Sequence, residues 1–137
     1  MSEVTQASFK FTKFTIKESH IVVREDGDND FELSFVPSGI VFPSENRFEL
    51  EIIFEAIDKN ELVEVKVISH SLFKYSNIPD VTNSKFLTEN ASAIVFPYIR
   101  AYISTLTVQS GITPIILPTL NLTGMGETLK KNITVKE

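Results

Sequence analysis

Residues 47 to 57, RFELEIIFEAI, set Phe48, Leu50, Ile52, Phe54 and Ala56 at alternate positions, with Arg47, Glu49, Glu51 and Glu55 between them. A period of two sustained that long fits a strand with one face against a core and does not fit a helix. After the polar DKNE, the run LVEVKVISHSLFKY continues the alternation through Val63, Val65 and Val67, so the two runs are predicted to form an antiparallel hairpin. Any fold of this chain has to cover the apolar face of that hairpin.

Two further stretches share the period. DFELSFV alternates Phe31, Leu33 and Phe35 with Glu32 and Ser34, a short half-buried strand, and PSGIVFPSEN after it reads as an irregular loop. Between residues 8 and 24 the alternation runs through Phe9 and Phe11, slips phase near Lys13, and resumes at Phe14 and Ile16. A slip of one residue would reverse the apolar face, so a bulged or bent strand is expected. EDGDND, residues 25 to 30, is a turn signal. Its aspartates have the spacing that opens a calcium loop, but Phe31 stands where such a loop needs glycine and Pro37 where it needs glutamate, so a solvated turn is expected.

VFPYIRAYISTLTVQSGITPIILPTLNL, residues 95 to 122, has no charge after Arg100. The uncharged part is long enough to cross a bilayer, yet half of it is Ser, Thr, Gln, Asn, Gly or Pro, and Pro114 and Pro118 break hydrogen bonding that lipid cannot replace. A buried helix over about 92–110 fits better, with Asn90 or Ser92 as N-cap, Val95, Ile99, Tyr102, Ile103 and Leu106 on one side, and Gly111 at the stop. Pro97 argues against a much earlier start. The segment 111–122 should be extended and apolar, and the tail 123–137 should hold a short helix around Thr128 to Asn132. With strands over about 8–75 and a connection at 76–90, residues 1–137 are expected to make one domain. Its class is α+β: a four-stranded antiparallel sheet with a long C-terminal helix and a short terminal helix packed on one face.

Composition narrows function by exclusion. A net charge of -5, without a cluster of basic residues, repels phosphate backbones and disfavours nucleic acid. With no cysteine and two histidines, a structural zinc site is excluded. His20 and His70 are flanked by serines, which a strand sends to its opposite face, and no catalytic glycine or histidine motif is present, so an enzyme is not expected. No secretory signal is visible at the N-terminus, which makes the cytoplasm the expected compartment.

IVFPYIRAYISTLTVQSGITPIILPTLNL resembles the signature of the SecB export chaperones, in which an apolar run ending F-P-Y, followed by an arginine, opens the long helix. There the helix ends near a glycine, and a proline-bearing apolar segment leads to an asparagine and a large apolar residue; Phe96, Pro97, Tyr98, Arg100, Gly111, Asn121 and Leu122 fall on those positions. DFELSFV and the 46–75 hairpin are similar to the family's strands, so the likeness covers residues 30–125. The resemblance implies a cytoplasmic homotetramer, a dimer of dimers, that holds unfolded polypeptides in long apolar grooves for delivery to the SecA motor, without catalysis or any cofactor, and peripheral to the membrane at most. It implies a peptide-binding lining of Phe31, Leu33, Phe35, Leu122 and Met125, and an oligomer interface at the hydroxyl-rich helix face of Ser104, Thr105 and Thr107. Two positions through which the family docks SecA carry Phe14 and Lys66, leaving Glu18 as the acidic one, which counts against SecA as a partner. The alternative is a dedicated module, a SecB-like chaperone for a single partner such as an antitoxin or phage protein.

Overall fold

The computed structural model describes residues 6–25, 30–118 and 122–137, with the backbone alone at 122 and 123. Five strands, β1 (Ser8–Val23), β2 (Phe31–Phe42), β3 (Arg47–Asp58), β4 (Val63–Ser76) and β5 (Ile133–Val135), accompany two helices, α1 (Ala91–Gln109) and α2 (Leu122–Lys131). They form one sheet in the order β1-β4-β3-β2-β5. The class is α+β as expected, but the sheet is mixed and has five strands: β5 pairs in parallel with β2 at Gly39–Val41. The turn expected at EDGDND lies mostly outside the described residues, which end at Glu25 and resume at Asp30.

The alternation sets the layers. Phe48, Leu50, Ile52, Phe54 and Ala56 of β3 meet Val63, Val65, Val67 and Phe73 of β4 on one face, all essentially excluded from solvent. Each large apolar side chain so buried contributes about 1.5–3 kcal/mol relative to exposure. The predicted hairpin is present, and Asp58 fastens its turn: Oδ1 accepts hydrogen bonds from the Leu62 and Val63 amides at 2.5 and 2.8 Å. Burial pushes the Tyr75 phenol above its usual value, so it enters the core uncharged.

In β1 the phase slip is a bulge, and there are two. The register with β4 shifts between Phe11 and Lys13 and again between Ile16 and Glu18. The first shift returns Phe14 and Ile16 to the core face opposite Ser71 and Ser69, and the second does the same for Ile21 opposite Val65. Each extra residue therefore corrects the face that the sequence alone would have reversed.

β2 continues through PSGIVF, where an irregular loop was expected. Gly39 donates its amide to Asn132 O at 3.2 Å, and Pro37 O accepts from Asn132 Nδ2 at 3.1 Å, both on the side away from β3. Backbone groups alternate sides along a strand, so Pro37 presents its missing N–H outward and the β2–β3 ladder loses nothing. Gly39 is required by packing, because a Cβ there would lie 2.5 Å from Phe48 Cε1.

α1 lies across the inner face with Ala91, Val95, Ile99 and Ile103 buried. The ordered helix begins earlier than residue 92: a π-helical turn at Phe86–Asn90 leads directly into it. Asn90 is consequently not a cap, having helical backbone angles and no side-chain capping bond. Pro97 is tolerated inside the helix because it lies on the exposed side, where the carbonyl it frees can be hydrated. Gly111, at φ 84°, ends the helix with its amide on Val108 O and the Ile112 amide on Thr107 O, the paired closure that a left-handed glycine permits. The stretch Phe86–Gln109 is long and apolar enough to cross a membrane by length and composition, a test that a core helix also passes. α2, expected around 128–132, begins at Leu122 and packs on β2 and the π-helical turn.

Candidate functional site

The first half of β2 combines two properties in the same residues. The side chains of Phe31, Leu33 and Phe35 are half-buried on the inner face, and the backbone groups of the same residues point away from β3 by the parity established at Gly39. β5 covers that edge at Gly39–Val41, and no other strand among the described residues pairs with it. Among the described residues, Phe31 to Phe35 is thus an edge whose outward backbone groups have no strand partner, beside a strip of partly exposed apolar surface.

Two aromatic contacts hold the strip in place. The Phe35 ring lies 5.1 Å from Phe54 and 6.1 Å from Phe96, centroid to centroid, so β3 and α1 together support it. On the other side of α1, Tyr98 covers β1, with Phe11 and Phe14 at 5.2 and 5.5 Å. Phe96 and Tyr98 were noted in the sequence as signature positions; the structure gives them the separate tasks of bracing the two flanks of the helix.

The remaining expected site residues separate. Met125 is buried on α2 and faces the core. The side chain of Leu122 lies outside the described residues. The apolar segment after Gly111 is extended, with Ile115 and Leu117 buried and Ile116 67% exposed between them. Of the helix hydroxyls, Thr105 is exposed and Ser104 half-buried, whereas Thr107 is fully buried within this chain. Thr107 Oγ1 donates to Ile103 O at 2.8 Å and accepts the Ile115 amide at 3.0 Å, pinning the segment to the helix. A different row faces outward on α1: Ile94, Tyr98, Ala101, Thr105 and Val108, with Tyr98 and Val108 about half exposed.

The opposite face of the sheet is mixed in charge. His20, Val22, Glu32, Ser34, Glu55, Ile57, Glu64 and Lys66 line a shallow cavity of about 430 Å³ there. His20 pairs in register with Lys66, and His70 with Glu51. Four residues of β4 separate the two histidines, roughly 13 Å at about 3.3 Å per residue. Ser19, Ser69 and Ser71, the serines adjacent to the histidines in sequence, point to the other side of the sheet. Phe14, one of the positions tied to SecA docking, is on the inner face under Tyr98.

The family described as preprotein translocase subunit SecB matches residues 29–131. An uncharacterised protein of Methanocaldococcus jannaschii is 27% identical over 134 residues, covering 91% of this chain and 86% of that one. The protein-export protein SecB of Rickettsia africae is 29% identical over 76 residues, which is 53% of this chain and half the length of the export protein. Among solved structures, the SecB-like chaperone Rv1957 of Mycobacterium tuberculosis, in complex with a ChAD peptide from the HigA1 antitoxin, superimposes with a TM-score of 0.71 at 16% identity, covering 82% of this chain and 90% of that one.

Proposed function

We propose that this chain, which belongs to the SecB family, is a chaperone that holds one dedicated protein partner in an extended, unfolded form along the first half of β2. The observation that carries the reading is the coincidence at Phe31, Leu33 and Phe35 of half-buried apolar side chains with an unpaired strand edge. An unfolded chain exposes the same two needs, apolar side chains and unpaired backbone, and this strip meets both at once. Each Å² of apolar surface a partner covers contributes about 25 cal/mol, set against the cost of ordering and immobilising the partner.

Three features favour a dedicated partner over general export. The fold is shared with a SecB-like chaperone that carries an antitoxin peptide. One position assigned to SecA docking is Phe14, committed to Tyr98, and the other is a lysine on the mixed-charge face. α2 has only ten residues, so it walls a short stretch of groove. In this reading the protein works in the cytoplasm as a dimer of dimers. The long outer edge of β1 and the outward row Ile94, Tyr98, Ala101, Thr105 and Val108 of α1 supply the two kinds of contact, with Ser104 at the margin of the row.

Purification from the native cytosol should return one partner in stoichiometric amount, and Leu33→Asp should lose it while keeping the sheet's circular dichroism. Equal suppression of aggregation for several unrelated denatured proteins would support general holding instead. Failure to bind any unfolded chain would exclude both.

A further inference from the structure

β5 sits on the same edge of β2 that the proposed partner strand would use. It has three residues, Ile133 to Val135, and it pairs in parallel, the less stable arrangement per residue. Its ties to β2 include Gly39 N–H to Asn132 O at 3.2 Å, Lys136 N–H to Val41 O at 2.9 Å and Asn132 Nδ2–H to Pro37 O at 3.1 Å. Ile133 reaches the core, but Thr134 is exposed and Val135 is 49% exposed, so little apolar area fastens the strand. Immediately before it, Leu129 of α2 is fully buried and Asn132 closes the helix onto Leu129 O at 2.9 Å. The chain up to residue 131 is therefore anchored independently of β5.

Resting on the reading that a partner strand pairs with β2, we infer that β5 is an intrachain place-holder, which a bound strand displaces from Gly39–Val41. The sequence Ile-Thr-Val has the apolar–polar alternation of the strand it stands in for. While β5 is docked, the open edge is confined to Phe31–Val36, six of the twelve residues of β2. Once β5 leaves, the edge extends through Val41, and the Gly39 N–H and Val41 C=O become available to the partner. Pro37 offers no N–H on this edge, so a strand crossing it forgoes one bond there and recovers bonds beyond it only if β5 has left. The anchored α2 keeps the displaced segment beside the edge, ready to re-dock when the partner departs and to cover Gly39–Val41 in the free protein.

The chain has no cysteine, so the place-holder can be locked with a single disulfide. Ile40 and Thr134 are register partners on the outer face, and the double variant Ile40→Cys/Thr134→Cys would join them when oxidised and release them when reduced. The probe is a fluorescein-labelled peptide of alternating valine and threonine, long enough to run from Phe31 to Val41. The oxidised variant should bind it at least about tenfold more weakly than the same variant after reduction, as expected when the competent state is withdrawn. Lys136→Pro, which deletes a donor to Val41, should bind it more tightly than the parent. In the full-length protein, saturation with the peptide should expose the Lys136 amide to hydrogen exchange while Gly39 stays protected, its partner having changed. Equal affinity of oxidised and reduced forms, with Lys136 still protected in the complex, overturns the place-holder and leaves strand binding standing. No binding by the reduced variant or the parent overturns strand binding itself, and the place-holder with it.

Discussion

Gly39 shows how one missing side chain fixes a strand. The Phe48 ring fills the space a Cβ would need, at 2.5 and 2.7 Å from two of its carbons, and Phe48 is fully buried. Gly39→Ala should therefore cost about 1–3 kcal/mol, as overpacked cores do, measured as a lower midpoint in urea unfolding with an unchanged slope. Asp58 is the polar counterpart. Removing its carboxylate in Asp58→Ala leaves the Leu62 and Val63 amides without their acceptor, and the hairpin should lose about 1–3 kcal/mol in the same measurement. The sequence disclosed the inward residues of β3 and β4 because alternation is a local signal. It did not disclose Gly39 or Pro37 as strand residues, because each is a turn former by local preference and is acceptable here only through long-range facts: which side of β2 faces β3, and where Phe48 points.

The same division holds for the elements. The first bulge of β1 was legible as a lost phase, since a strand must keep Phe9, Phe11, Phe14 and Ile16 on one face; the second, between Ile16 and Glu18, was not. The start of the long helix was not, because a π-helical turn has no capping residue to announce it, and the exposed side of Pro97 is set by where the helix crosses the sheet. β5 was missed for a simpler reason: three residues carry too little periodicity to separate a strand from coil, and its pairing depends on α2 delivering it to β2. That delivery rests on Gly126, where a Cβ would come within 2.8 Å of the Thr88 carbonyl oxygen. Backbone cannot yield as a side-chain tip can, so Gly126→Val should separate α2 from the π-helical turn and raise amide exchange across α2 and β5 while β3 and β4 stay protected. Thr107→Val tests the neighbouring tie: with no acceptor for the Ile115 amide, the segment after Gly111 should become more open to limited proteolysis.

At the scale of the molecule, three surfaces have no partner among the described residues of the chain. In the proposed dimer of dimers the outer edge of β1 and the outward row of α1 meet further copies of the chain, so Ala101→Glu should lower the sedimentation coefficient while leaving the partner strip intact. The resemblance in the sequence pointed to Phe31, Leu33 and Phe35 as a set, and the backbone parity of β2 gives that set its physical sense, since the residues that offer apolar side chains also offer their amides and carbonyls. Hydroxyl content alone did not identify an outward helix face, because burial of Thr107 is decided by the segment that folds back over it. The most direct measurement is amide hydrogen exchange of the protein with and without a saturating unfolded polypeptide. Binding should slow exchange at Phe31, Leu33 and Phe35, whose amides face the open edge. A complex that forms with those three amides unchanged would contradict the account.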